Sequence, residues 1–257
     1  MSDALFNTAP PKTLSSEQMD HFRREGYVII ENLYTQDEID RMHQLRLQVE
    51  KEAEGRTDGY ARDGGEYNIE PLVTDPTGRT VALRKIQEVF KSEPSFREVA
   101  ANVRILDIVE DMIGRPIYYH SSKLMCKPAL GGRRKPWHQD FAYWDTMQPK
   151  QVTVWGAIDA ATRENGCMQV IPRSHLKGLV PHYKGEDFMI DEQRIDESEI
   201  VFAEMNPGDV LFFNVLLLHA SAPNTSDKPR LATIIDFDSN QRIEGHLYGS
   251  DTPLRGA

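Results

Sequence analysis

The chain has 257 residues, 39% of them hydrophobic and 27% charged, and its 30 basic and 40 acidic side chains leave a formal charge of −10. That balance opposes a polyanionic partner, so nucleic acid and anionic membrane surfaces are set aside and a small-molecule partner is expected, with oligomeric state left open. No run approaches the roughly 18 to 20 apolar residues of a membrane span, and Met1-Ser2-Asp3-Ala4-Leu5-Phe6 has neither the basic nor the apolar part of a secretory leader, so a cytoplasmic protein is expected.

The length suits one β-rich domain over residues 1–257, in which residues 1–14, with Pro10 and Pro11, read as a flexible lead-in. Ser15 caps a short helix with Gln18 as its reciprocal partner, Gly26 stops it, and Tyr27-Val28-Ile29-Ile30 follows as a strand. Thr35 and Glu38 form a second capping box. Ile39, Met42, Leu45 and Val49 then recur at helical spacing before Gly55. Thr57–Arg79, rich in Gly and Pro with few periodic apolar positions, reads as irregular surface structure able to cover a site. From Pro94 a single apolar stripe, Phe96, Val99, Val103, Leu106, Val109, Met112 and Ile113, predicts a helix ending at Gly114.

Beyond Gly114 the period changes. Short segments near 117–127, 152–158, 168–171, 200–205, 210–213 and 230–237 are rich in β-branched and aromatic residues and separated by turn residues. Helices first and strands after predict an α+β, mainly β protein with helices packed on one side of an antiparallel sandwich or barrel. Cys126 and Cys167, 41 positions apart, make no metal or disulfide pattern and are expected as buried thiols.

His138 and Asp140, at i and i+2, share a face if the backbone is extended, and together offer one nitrogen and one oxygen to a divalent metal. By itself the pair is more simply surface hydrogen bonding. His219, at the end of the apolar run 215–218, is the candidate third ligand. Two histidines and one carboxylate leave coordination positions open, the arrangement suited to non-haem Fe(II). Arg230, 11 residues further on, opens a strand and carries a guanidinium into a sheet. It either grips a carboxylate in two parallel hydrogen bonds or pairs with a side chain such as Asp236 or Asp238.

Trp137-His138-Gln139-Asp140, the run Arg163-Glu164-Asn165-Gly166-Cys167-Met168-Gln169-Val170-Ile171-Pro172-Arg173-Ser174-His175, the turn Pro207-Gly208-Asp209, and His219 with Arg230 resemble the phytanoyl-CoA dioxygenase family of Fe(II)/2-oxoglutarate-dependent oxygenases. The likeness runs from about Ser15 to Phe237. It implies a double-stranded β-helix (jelly-roll, cupin-like) core with flanking N-terminal helices. It also implies Fe(II) held by His138, Asp140 and His219, with 2-oxoglutarate as cosubstrate gripped by Arg230, and O2 consumed.

Ser221, Lys85, Lys123 and Trp155 are further cosubstrate candidates. Their plain alternatives are a turn hydroxyl, surface lysines and ordinary core. Because Asp140 is present, hydroxylation or a related C–H oxidation of a metabolite, releasing succinate and CO2, is favoured over halogenation.

Phe141, Tyr143 and Trp144 are candidate substrate contacts, of which strand alternation turns Phe141 and Tyr143 away from Asp140. Arg133 and Arg134 face either solvent or an anionic substrate. A CoA ester is disfavoured because no concentrated basic patch is visible along the chain. His120 and His175 are given no catalytic role, and the C-terminal tail is left without one. Two other readings stand beside this: a cupin-type metalloenzyme doing non-oxidative chemistry, and a catalytically silent binding module of the same fold.

Overall fold

Ser15 accepts from the Gln18 N–H while the Gln18 side chain accepts from the Ser15 N–H, opening α1 (Ser16–Glu25), and Gly26 ends it in the left-handed region. β1 (Tyr27–Ile30) follows, and the Thr35–Glu38 box starts α2 (Gln36–Glu52), which buries Ile39, Met42, Leu45 and Val49. The computed structural model describes residues 5–71, 81–144, 150–241 and 249–256.

Thr57–Arg79 is not irregular where it is described. It forms β2 (Tyr60–Arg62) and β3 (Gly65–Pro71), and β3 pairs antiparallel with β4 (Val81–Gln87). The strand signal was diluted by glycine, yet Tyr67 and Ile69 alternate inward at a spacing of two and are buried. The remainder of that segment lies outside the described residues. The single helix expected to run from Pro94 to Gly114 is two: after α3 (Val89–Ser92), α4 (Pro94–Ala100) stops and Asn102 caps α5 (Val103–Ile113) by accepting from the Ile105 N–H.

The remaining strands are β5 (Tyr118–Lys127), β6 (Lys135–His138), β7 (Gln151–Ala157), β8 (Met168–Val170), β9 (Tyr183–Lys184) and β10 (Phe188–Met189). They continue with β11 (Val201–Ala203), β12 (Val210–Asn214), β13 (His219–Ser221) and β14 (Arg230–Asp238). An eight-stranded antiparallel sheet, β1-β12-β7-β14-β5-β4-β3-β2, faces a four-stranded one, β11-β8-β13-β6. This is the jelly-roll core with flanking helices.

Alternation along the strands of the large sheet sends one side chain to the helices and the next between the sheets. Val152, Val154, Leu231, Ile235 and Phe237 join the helices in the main core, whereas Trp155 and Ala232 pack with Met168, Phe213 and Leu217 in a second cluster.

Residues 7–14 and Arg255 are fastened to α5. Residues 5–14 are docked, contrary to the flexible lead-in: Leu5 and Phe6 are buried, and the Asp111 carboxylate accepts from the backbone N–H groups of Lys12, Thr13 and Leu14. Arg255 pairs with Asp107 and Glu110, which places residues 254–256 on the helix face. Cys126 and Cys167 are free and buried, as expected. No helix among the described residues is long and apolar enough to cross a membrane.

Candidate active site

β6 and β13 are neighbours in the small sheet, and their register sets His138 opposite His219. β6 ends at His138, and Asp140 begins a 3-10 turn, Asp140–Tyr143, so the two ligands meet without sharing a strand. The Gln139 side-chain amide fixes this corner by donating to the carbonyls of Leu216 (2.6 Å) and Gly178 (2.9 Å). One oxygen of Asp140 lies 3.5 Å from His138 Nε2 and 3.6 Å from His219 Nε2. All three side chains are buried, and their ligand atoms fall within 4.8 Å of one another.

The tautomers are set by the backbone. His138 Nδ1 faces the Pro136 carbonyl at 2.8 Å and His219 Nδ1 the Leu217 carbonyl at 3.0 Å; a carbonyl only accepts, so each Nδ1 carries the hydrogen. Burial pushes both imidazoles down, His219 to about 4, so both are neutral near pH 7 and each Nε2 presents a lone pair. Asp140 lies well below the usual carboxylate range: burial pushes it up, but a proton entering the site goes to His219 or His138 before it goes to the carboxylate. Three acceptors turned toward one point repel each other unless a cation stands between them, so the donor set fits a metal ion on this structure's own geometry.

The cavity between the sheets has a volume of about 350 Å³ and contains these three side chains. Arg230 opens onto it and is only 1% exposed. Its Nη1 donates to the Gly166 carbonyl at 2.7 Å, its guanidinium stands 5.0 Å over the Trp155 ring, and its Nε is buried without a partner. The ion-pair alternative does not hold. Asp236 is engaged by Ser121 (2.6 Å) and Thr153 (2.7 Å), and Asp238 by Gln151 and Asn240. A buried guanidinium with donors to spare fits a carboxylate brought by a ligand.

Ser221, Lys85, Lys123 and Trp155 line the same cavity, as do Tyr143 and Trp144. Phe141 does not belong with them: the 3-10 turn replaces the strand expected from the sequence, and Phe141 packs against the main core. The same turn cancels the alternation argument for Tyr143, whose ring meets His138 edge-on at 5.8 Å. His175 packs on α1, its Nε2 3.2 Å from the Arg23 carbonyl.

Folding also creates the basic patch that the linear sequence hides. Arg84, Lys85, Lys123 and Lys127 come from β4 and β5, while Arg133, Arg134 and Lys135 come from the segment entering β6. With Arg230 that makes, among the described residues, eight basic side chains lining the cavity against two carboxylates, Asp140 and Asp187. The argument that disfavoured a CoA ester therefore fails, because residues from four chain segments converge. Lys127, Lys135, Thr153 and Asp236 went unrecognised as site residues; for Lys127 the signal was Lys123, Met125 and Lys127 at a spacing of two on one strand.

The sequence profile of the phytanoyl-CoA dioxygenase (PhyH) family matches residues 22–232. The chain belongs to that family. It is accordingly a dioxygenase of the Fe(II)- and 2-oxoglutarate-dependent type. Among its relatives, an ectoine dioxygenase of Sphingopyxis alaskensis is 28% identical over 268 residues, spanning 96% of this chain and 82% of its own. A methylphosphonate hydroxylase of Gimesia maris is 26% identical over 235 residues, spanning 91% and 84%. The crystal structure of EctD from S. alaskensis with bound Fe superposes with a TM-score of 0.74 at 24% identity, covering 98% of this chain and 90% of that one, which shows a shared fold.

Proposed function

We propose that this family member hydroxylates an unactivated C–H bond of a small molecule in the cavity between its sheets. The observation that carries this is the meeting, in one cavity, of three inward-facing acceptors with a buried guanidinium that no carboxylate among the described residues occupies. Iron, 2-oxoglutarate and O2 together supply the oxidation when bound, one oxygen atom entering the substrate and the cosubstrate leaving as succinate and CO2.

The chain's own work is positioning. His138, Asp140 and His219 would hold the metal, their own geometry fixed by backbone carbonyls and by Thr153. Arg230 would receive the distal carboxylate of the cosubstrate, with Ser221 lining the same cavity, and the Trp155 face stacks on that guanidinium. Tyr143 and Trp144 wall the substrate side and keep water from the reacting atoms. No protein side chain is needed as a general base.

The test is anaerobic addition of 2-oxoglutarate to the Fe(II)-loaded protein, followed by a succinate-release screen over a metabolite library. A visible charge-transfer band and substrate-dependent succinate are expected. His138→Ala should abolish turnover, and Arg230→Ala should raise the 2-oxoglutarate requirement. Metal binding without that band would turn the assignment toward non-oxidative metal chemistry, which needs the three ligands but not Arg230.

A further inference from the structure

Lys127 and Arg230 are two buried cations that meet at one residue. Arg230 Nη1 donates to the Gly166 carbonyl at 2.7 Å, and a methyl group built on Gly166 would stand 3.2 Å from Lys127 Nζ and run into the Ala222 carbonyl. Gly166, at φ +77°, is thus the spacer that lets both cations reach the same end of the cavity, which both of them line. The titratable or charged groups facing Lys127 are Arg230 from β14, Arg84 from β4 and the Cys167 thiol from the segment before β8. That thiol is held in its neutral form by burial, which pushes it up to about 11. No carboxylate among the described residues forms an ion pair with Lys127 or Arg230.

The hydrogen-bond count of Lys127 is incomplete in its charged form. Its Nζ donates to the Arg133 carbonyl at 3.0 Å and to the Ala222 carbonyl. A neutral amine has two N–H bonds, and those two carbonyls use both. The ammonium has a third, for which no acceptor is bonded among the described residues. Burial, then Arg230, accordingly pulls Lys127 to about 7. A carboxylate brought to Arg230 would supply both the counter-charge and the missing acceptor.

We infer that Lys127 is a second cationic contact for the distal carboxylate of 2-oxoglutarate, sharing it with Arg230, and that Lys127 takes up a proton as that carboxylate enters. This rests on the dioxygenase reading above and adds to it one residue and one proton. Coupling is reciprocal: the carboxylate favours the ammonium, so the ammonium favours the carboxylate. Affinity for 2-oxoglutarate is therefore full below the value of the free lysine and falls above it, by at most about tenfold per pH unit. A 2-oxo acid without the distal carboxylate leaves Lys127 as it was.

The experiment is calorimetric titration under argon of the Fe(II)-loaded protein with 2-oxoglutarate and with 2-oxopentanoate, which has the same chain length and lacks the distal carboxylate. Each titration is run at about pH 6 and about pH 8 in two buffers of different ionisation enthalpy, so that the protons exchanged are counted, and the charge-transfer band is recorded alongside. At about pH 8, 2-oxoglutarate should take up roughly half a proton or more beyond what 2-oxopentanoate takes up, and at about pH 6 almost none. Groups at the metal end respond to both acids and cancel in that difference.

Lys127→Met should remove the excess and weaken 2-oxoglutarate about tenfold at about pH 6, while 2-oxopentanoate binds within about twofold of its usual affinity. Equal uptake with the two acids in the unsubstituted protein, or a Lys127→Met variant that keeps the excess or weakens both acids alike, would overturn the inference. A charge-transfer band without excess uptake would overturn it and leave the dioxygenase reading standing. Excess uptake without the band would support the seat and count against that reading, and failure of 2-oxoglutarate to bind at millimolar concentration would overturn both.

Discussion

The Thr153 hydroxyl stands 2.9 Å from Asp140 Oδ2, the oxygen turned away from the two histidines, and 2.7 Å from Asp236. A hydroxyl has one hydrogen and cannot donate to both carboxyls. Burial and the Asp140 charge push Asp236 up to about 7; in its protonated form the acid O–H of Asp236 donates to Thr153 and Thr153 donates to Asp140. This chain pins the second oxygen of Asp140 and leaves the first for the metal. Thr153→Val keeps the shape and removes the link; Fe(II) affinity, read by anaerobic titration, should fall about 10- to 100-fold with the fold intact. Unchanged affinity would mean that Asp140 is positioned without Thr153.

Arg230 is the test of charge against shape. Lys in its place keeps one positive charge but loses the planar fork and the stack on Trp155. Arg230→Lys should raise the KM for 2-oxoglutarate on the order of tenfold or more and alter kcat at saturation far less. A kcat loss without a KM change would place the guanidinium with the substrate instead.

Lys127 gives a pH signature. It is 6% exposed, donates to the Arg133 carbonyl at 3.0 Å and also to the Ala222 carbonyl, and is pulled to about 7 by burial and then by Arg230, against 10.5 in an unfolded chain. Between those values the unfolded chain holds a proton that the folded one has released. Its contribution to stability therefore rises as pH climbs through that window, and below it the full cost of the buried charge is felt. Without 2-oxoglutarate, the melting temperature of the unsubstituted protein should gain on that of Lys127→Met between about pH 6 and about pH 9. A difference that stays flat would show that the ammonium remains charged throughout.

Much of the site was legible because its ligands carry local signals. His138 with Asp140 and the His219–Arg230 spacing are short-range patterns, and the strands that bear them are apolar enough to read. Three things were hidden for physical reasons. Gly64 and Gly65 masked the β2–β3 hairpin, although Tyr67 and Ile69 still alternate inward. Asp140 sits on a 3-10 turn, so strand logic misplaced Phe141. The basic cavity is built from residues as far apart as Arg84 and Arg230, and only the sheet register brings them together. Capping residues, by contrast, act within four positions, which is why Ser15 and Thr35 start their helices where the sequence places them.

Asp111 decides whether the N-terminal segment is structural. Its carboxylate accepts from three consecutive backbone N–H groups, Lys12 (2.8 Å), Thr13 (2.7 Å) and Leu14 (2.8 Å), while Asn7 donates its own N–H to the Met112 carbonyl at 2.7 Å. Charge-assisted bonds are the strong kind, and their loss leaves the buried Leu14 N–H and the partly buried N–H groups of Lys12 and Thr13 without this acceptor. Asp111→Ala should cost about 3 kcal/mol and lower the melting temperature by roughly 6 to 12 °C. Asp111→Asn, which keeps one acceptor oxygen but turns an amide toward the same donors, should fall between. Both variants should expose the 9–14 segment to limited proteolysis while their iron affinity stays normal, since α5 lies on the helix side of the large sheet, away from the cavity. If Asp111→Ala melts within about 1 °C of the unsubstituted protein, the docked segment adds nothing to the fold's stability.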